Sequence, residues 1–204
     1  MKFFGLTPPS VLNRSSRDAL KPAPTQSYSI LFGSVSFGLV SLLAYAVWAF
    51  RLVPGQAAMY SAIAAVYLLL SGLALSRLAV APKILLRFAL LFATSFLIYA
   101  LFWCLLWFGI KGKYHGDLWG SLLGIAAMTW LFQNAFGSKN GFLAAFSILF
   151  TFHTIGYYLG YEANTYFGGT TGRLLWGAFH GLGFGAGLGN LMFHCQKPLI
   201  SAND

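Results

Sequence analysis

The chain has 204 residues, 58% of them hydrophobic and only 8% charged, with thirteen Lys and Arg against four Asp and Glu. Ordinary soluble domains carry about 25% charged residues, so this chain cannot cover a water-facing surface with charge, and lipid is the expected host solvent. A net charge of +9 would suggest nucleic acid as the partner of a soluble protein; here the basic residues sit at the ends of apolar runs, which points to membrane orientation instead.

A bilayer core about 30 Å thick takes about 20 apolar residues per helix. The sequence therefore predicts an all-α bundle of six transmembrane helices spanning residues 30–196, with no separate soluble domain. Residues 1–29 form a basic, Pro-rich tail containing Lys2, Arg14, Arg17 and Lys21. It is expected to be solvated, with a short interfacial helix near Pro9 to Leu20. No apolar run precedes Ile30, so the first span is expected to act as an uncleaved signal anchor. It covers 30–50 and stops at Arg51, Pro54 and Gly55. The second covers 56–75 and is followed by Arg77, Pro82 and Lys83. The third covers 84–110, with Arg87 one turn inside where its stem can snorkel, and ends at Lys111, Gly112 and Lys113. The fourth covers 118–136, and Gly137 to Gly141 form a tight helical hairpin turn. The fifth covers 142–161, a Gly/Thr-rich loop runs from Glu162 to Gly172, and the sixth covers 174–193. Residues 197–204 are a short tail.

Orientation follows from the basic residues. With the N-terminus inside, the inner segments hold Lys2, Arg14, Arg17, Lys21, Arg77, Lys83, Arg87, Lys139 and Lys197, and the outer ones only Arg51, Lys111, Lys113 and Arg173. The positive-inside rule then puts both termini in the cytoplasm and the chain in the cell's inner (plasma) membrane. Trp48, Trp107, Trp119 and Trp176 fall at the outer ends, where amphipathic rings favour the head-group layer.

The sixth span carries the most specific pattern. Gly177, Gly181, Gly185 and Gly189 recur every fourth residue, and Gly183 and Gly187 form an adjacent row. Residues four apart share a helix face, and small residues at that spacing let helices in lipid pack closely. Gly156 and Gly160 on the fifth span offer a matching pair, so the fifth and sixth spans are expected to be neighbours. The stripe can serve internal packing, a homo-oligomer seam, docking on partner membrane subunits, or a path lined by bare backbone.

Two histidines lie inside these spans. At 1.5 Å per residue, His153 stands ~18 Å from the inner end and His180 ~12 Å from the outer end, which is one level in a core ~30 Å thick. Ionisable residues at such depth usually face the bundle interior and mark function. With Tyr157 they form a candidate intramembrane polar site. The imidazoles can share a proton, ligate a metal or haem iron, or stay neutral and hydrogen-bonded to Thr151, Tyr157 or another helix. The sequence does not name a cofactor. At the outer side His115, Asp117, Glu162 and Arg173 are candidates for a polar mouth, or for helix caps paired with Arg173. His194, Cys195 and Gln196 are expected to be an ordinary helix end. Cys104 and Cys195 make no disulfide framework or metal spacing.

There is no G-x-S-x-G, H-E-x-x-H or P-loop motif and no acidic residue inside a span, which argues against common hydrolases and cation-coupled pumps. The leading expectation is a non-enzymatic, passive channel or carrier for a small uncharged or weakly hydrophobic solute, with helices 5 and 6 lining its path. The alternatives are an accessory subunit of a larger bioenergetic or pigment- or haem-containing complex, and a membrane enzyme using the histidines or the outer loop.

Overall fold

The computed structural model of the protein describes residues 3–15, 20–138 and 140–201; Lys2, Arg17 and Lys139 of the charge count lie outside the described residues. Every regular element among the described residues is helical. The order is α1 (Pro8–Ser15), α2 (Gln26–Ala49), α3 (Gln56–Leu75), a 3₁₀ turn (Ser76–Leu78), α4 (Leu85–Gly109), α5 (Gly116–Phe136), α6 (Phe142–Phe167) and α7 (Gly169–Ile200). Four of the long helices, α2, α3 with its 3₁₀ turn, α4 and α6, are long and apolar enough to cross a membrane, where six were expected. α5 and α7 have the length, at 21 and 32 residues, but not the apolarity. Asp117, Gln133 and Asn134 dilute α5, and Arg173, Asn190, Gln196 and the glycines dilute α7.

These four helices are compatible with a membrane protein, and the outside of the bundle has the same character. Leu31, Leu39, Leu43, Leu69, Leu86, Leu101, Leu105 and Leu159 are all exposed, where a protein in water would carry polar side chains.

α7 packs antiparallel between α2 and α6. Its stretch from Phe184 to Met192 is buried throughout. The two glycine rows of α7 serve two different neighbours. Gly177, Gly181, Gly185 and Gly189 meet Tyr45, Gly38 and Ser41, Gly33, and Ser29 of α2. A Cβ on Gly181 would stand 2.9 Å from the Gly38 Cα, and one on Gly185 would overlap the Gly33 carbonyl. Gly183 and Gly187 meet α6 instead: a Cβ on Gly183 would stand 2.9 Å from the Gly156 Cα, and one on Gly187 2.9 Å from the Leu149 Cα. The expected α6–α7 neighbourhood is present, but the four-residue row belongs to α2. Gly160 of α6 faces Trp176, and a Cβ there would stand 2.9 Å from the Trp176 Cα. Dispersion between backbones this close, with weak Cα–H···O contacts, substitutes for the side chains that glycine lacks.

Two ends differ from expectation. The loop expected over Glu162–Gly172 is helical except for Gly168, whose φ of 62° and ψ of −175° suit glycine alone. Glu162, Ala163 and Asn164 lower hydropathy without breaking a helix, so the apolar run ended before the helix did. α7 likewise continues through Pro198 to Ile200, into the expected tail.

The N-terminal segment is also not a free tail. Pro8 and Pro9 open α1, where a missing N–H costs nothing. Phe4, Leu6 and Val11 are buried in the main core with Leu78, Val80 and Ile84. Apolar residues among prolines and arginines gave the segment a polar average that concealed this. Gln196, expected to be part of a plain helix end, is 1% exposed. Its amide donates to the carbonyls of Leu78 (3.1 Å) and Met192 (3.2 Å), and its oxygen accepts from the Val80 N–H at 2.7 Å. The irregular α3–α4 link is thereby satisfied inside the protein, as buried backbone must be.

Candidate functional site

His153 on α6 and His180 on α7 come together as the sequence predicts. Their rings stand edge to face with centroids 5.1 Å apart. Both are at least nine-tenths buried, with exposures of 1% and 8%. Gly156 and Gly183 bring the two backbones close enough for the rings to touch. Tyr157, one turn from His153, stacks on it at 6.1 Å and meets His180 edge-on at 5.8 Å.

The surrounding shell was not anticipated. Tyr99 of α4 is hydrogen-bonded through its hydroxyl to the His153 Nε2 at 2.7 Å. Its backbone is held against α5, where a Cβ on Gly124 would come within 2.9 Å of the Tyr99 Cα. Phe184 packs on both imidazoles, with centroids 4.8 Å from His153 and 5.8 Å from His180. Tyr45 of α2 lies 6.2 Å from His180 and from Trp176. On the N-terminal side of the histidines the core is rich in phenylalanine. Phe37 contacts Phe92 and Phe184, and Phe92 stacks on Phe96.

Within this cluster the Nδ1 of His153, both ring nitrogens of His180 and the Nε1 of Trp176 have no hydrogen-bond partner. Buried polar atoms in native cores are almost always paired, and each exception calls for an explanation. The indole N–H can only donate, while a neutral imidazole offers one donor and one acceptor. The cluster therefore presents both functions within an aromatic surround. A haem held between the two imidazoles does not fit this geometry, because the rings touch edge to face with Phe184 against both. No group of three His, Cys, Asp or Glu suited to a metal occurs among the described residues.

The polar residues at the opposite end form no shared site among the described residues. His115 adopts a left-handed conformation before α5 and makes no side-chain cap. Asp117 accepts from the Tyr158 hydroxyl at 3.4 Å, and Glu162 lies exposed on α6. Arg173 does not pair with either acid: its guanidinium lies 4.9 Å over the Trp48 ring and reaches the Trp48 carbonyl at 3.5 Å.

Ser29, Gly33 and Ser41 at multiples of four were the signal for the α2 partner. A lone tyrosine in an aromatic-rich span gave no comparable signal for Tyr99. Comparison with protein-family models, curated proteins and solved structures finds no match to this chain. The class that fold and composition define is an all-helical protein with four apolar, membrane-length helices.

Proposed function

We propose that the chain is a six-span protein of the inner membrane, with both termini cytoplasmic, that acts as a non-enzymatic carrier for a small, uncharged or weakly hydrophobic solute. α5 and α7 complete the six crossings on this reading, shielded from lipid by their more apolar neighbours. The solute is held between α6 and α7 at His153 and His180. One observation carries the reading: four ring nitrogens of His153, His180 and Trp176 are buried without partners, facing aromatic rings that would suit a neutral ligand. The phenylalanines on the N-terminal side favour a carrier that alternates over a continuous open channel.

Docking on a partner complex through the glycine stripe has less support, because α2 and α6 of the same chain fill both rows. The test is stopped-flow light scattering on proteoliposomes, with urea, glycerol and acetamide as probe solutes. The wild type should carry at least one probe faster than protein-free liposomes, and His180→Leu and His153→Leu should remove the excess while remaining folded and helical. Flux no faster than in protein-free liposomes for every probe, or flux indifferent to both substitutions, would sink the proposal.

A further inference from the structure

At the N-terminal face Arg14 of α1 and Arg87 of α4 converge on Gly5. A Cβ on Gly5 would lie 2.6 Å from one guanidinium nitrogen of Arg14 and 2.8 Å from one of Arg87. Arg14 donates to the Gly5 carbonyl and Arg87 to the Phe4 carbonyl at 3.4 Å. Gly5 has a φ of +61°, and its missing side chain leaves room for both forks. Two like charges are thus held side by side by backbone carbonyls.

Among the described residues no carboxylate accompanies them. Asp117 and Glu162 sit at the far ends of α5 and α6, and Asp18 and Asp204 lie outside the described residues. Beside Arg87 on α4, Leu85, Leu86 and Leu90 are exposed and present an apolar strip along the helix.

We propose that Arg14, Arg87 and the Gly5 turn form a binding site for the phosphate of an anionic lipid headgroup, whose acyl chain lies along Leu86 and Leu90. Guanidinium forks match phosphate oxygens two at a time, and a phosphodiester between them replaces mutual repulsion with two attractions. Partial desolvation and the neighbouring Arg87 lower the pKa of the largely exposed Arg14 guanidinium from its ordinary value. Basic pockets on this kind of face are suited to anionic lipid headgroups. Because Phe4 and Leu6 anchor the turn in the core, an occupied site would also fasten the N-terminal segment to α4. The site is independent of the histidine cluster.

The experiment is native mass spectrometry of the full chain in detergent, titrated with dioleoylphosphatidylglycerol or dioleoylphosphatidylcholine. One phosphatidylglycerol should be retained in preference to phosphatidylcholine, and Arg14→Gln and Arg87→Gln should each weaken retention about tenfold or more, the range for a lost charged hydrogen bond. Arg87→Lys, which keeps charge but not the fork, should fall between, and Arg77→Gln should retain the lipid. Equal retention of the two lipids, or variants with unchanged helicity that hold phosphatidylglycerol as the wild type does, would overturn the proposal. So would displacement of the lipid by millimolar inorganic phosphate, which would assign the site to a soluble anion.

Discussion

Gly185→Ala places one methyl group at the tightest seam of the protein. The new Cβ would overlap the Gly33 carbonyl and stand 2.7 Å from the Phe37 Cβ. Ordinary contact begins near 3.4 Å, so α2 and α7 must move apart by the better part of an ångström. Because both backbones are stiff, the contacts of Gly181 with Gly38 and of Gly189 with Ser29 loosen as well. Overpacking of this kind costs about 1–3 kcal/mol. The gain in helix propensity on replacing glycine is at most about 1 kcal/mol. Gly109→Ala is the matched control, since a Cβ at that helical position meets nothing within 4 Å and only the propensity term applies. The two variants should therefore differ by about 1–3 kcal/mol in favour of Gly109→Ala. Reversible unfolding in mixed micelles, followed by far-ultraviolet circular dichroism as SDS is raised, measures that difference. Equal midpoints would refute the α2–α7 close approach. A Gly185→Leu protein that keeps its monomer stability but loses self-association would assign the row to a seam between copies.

Other substitutions probe the remaining supports. Tyr99→Phe removes the hydroxyl bonded to His153 and leaves a buried ring nitrogen without its partner, a loss of about 1–3 kcal/mol in the same unfolding assay. Gln196→Leu strands the Val80 N–H and the Leu78 carbonyl; it should cost at least as much, and hydrogen exchange should quicken selectively at Val80 and its neighbours. Gly168→Ala forces a side chain into a backbone conformation almost reserved for glycine, at about 1–3 kcal/mol, whereas Gly141→Ala, in the milder left-handed region, should cost less.

The helical class and the approximate positions of all the long helices were legible in the sequence because apolar runs and their Gly, Pro and basic ends are local signals. The pairing of His153 with His180 was legible too, since depth follows from counting residues along helices of fixed rise. What escaped were features that depend on which helix lies beside which. Tyr99 reaches His153 across 54 positions of sequence, and no spacing rule connects them. The α2 row was visible but ambiguous, because serines in an apolar span read equally well as incidental polar residues. Helix ends at Phe167 and Ile200 were missed because hydropathy reports contact with lipid, not helical hydrogen bonding. The burial of Phe4 and Leu6 was hidden by the polarity of their neighbours.

A single chain that closes α7 between α2 and α6 brings His153, His180 and Tyr99 into one buried cluster, and every functional proposal for the histidines depends on that closure. Magic-angle-spinning NMR in lipid bilayers, on protein labelled at histidine and tyrosine, tests it directly. The His153 ring nitrogen should correlate with the Tyr99 phenol carbon, and the His153 and His180 rings with each other. Both correlations should survive at full relative strength when labelled chains are diluted into an excess of unlabelled ones. Their absence, or their loss on dilution, would contradict a cluster built within one chain.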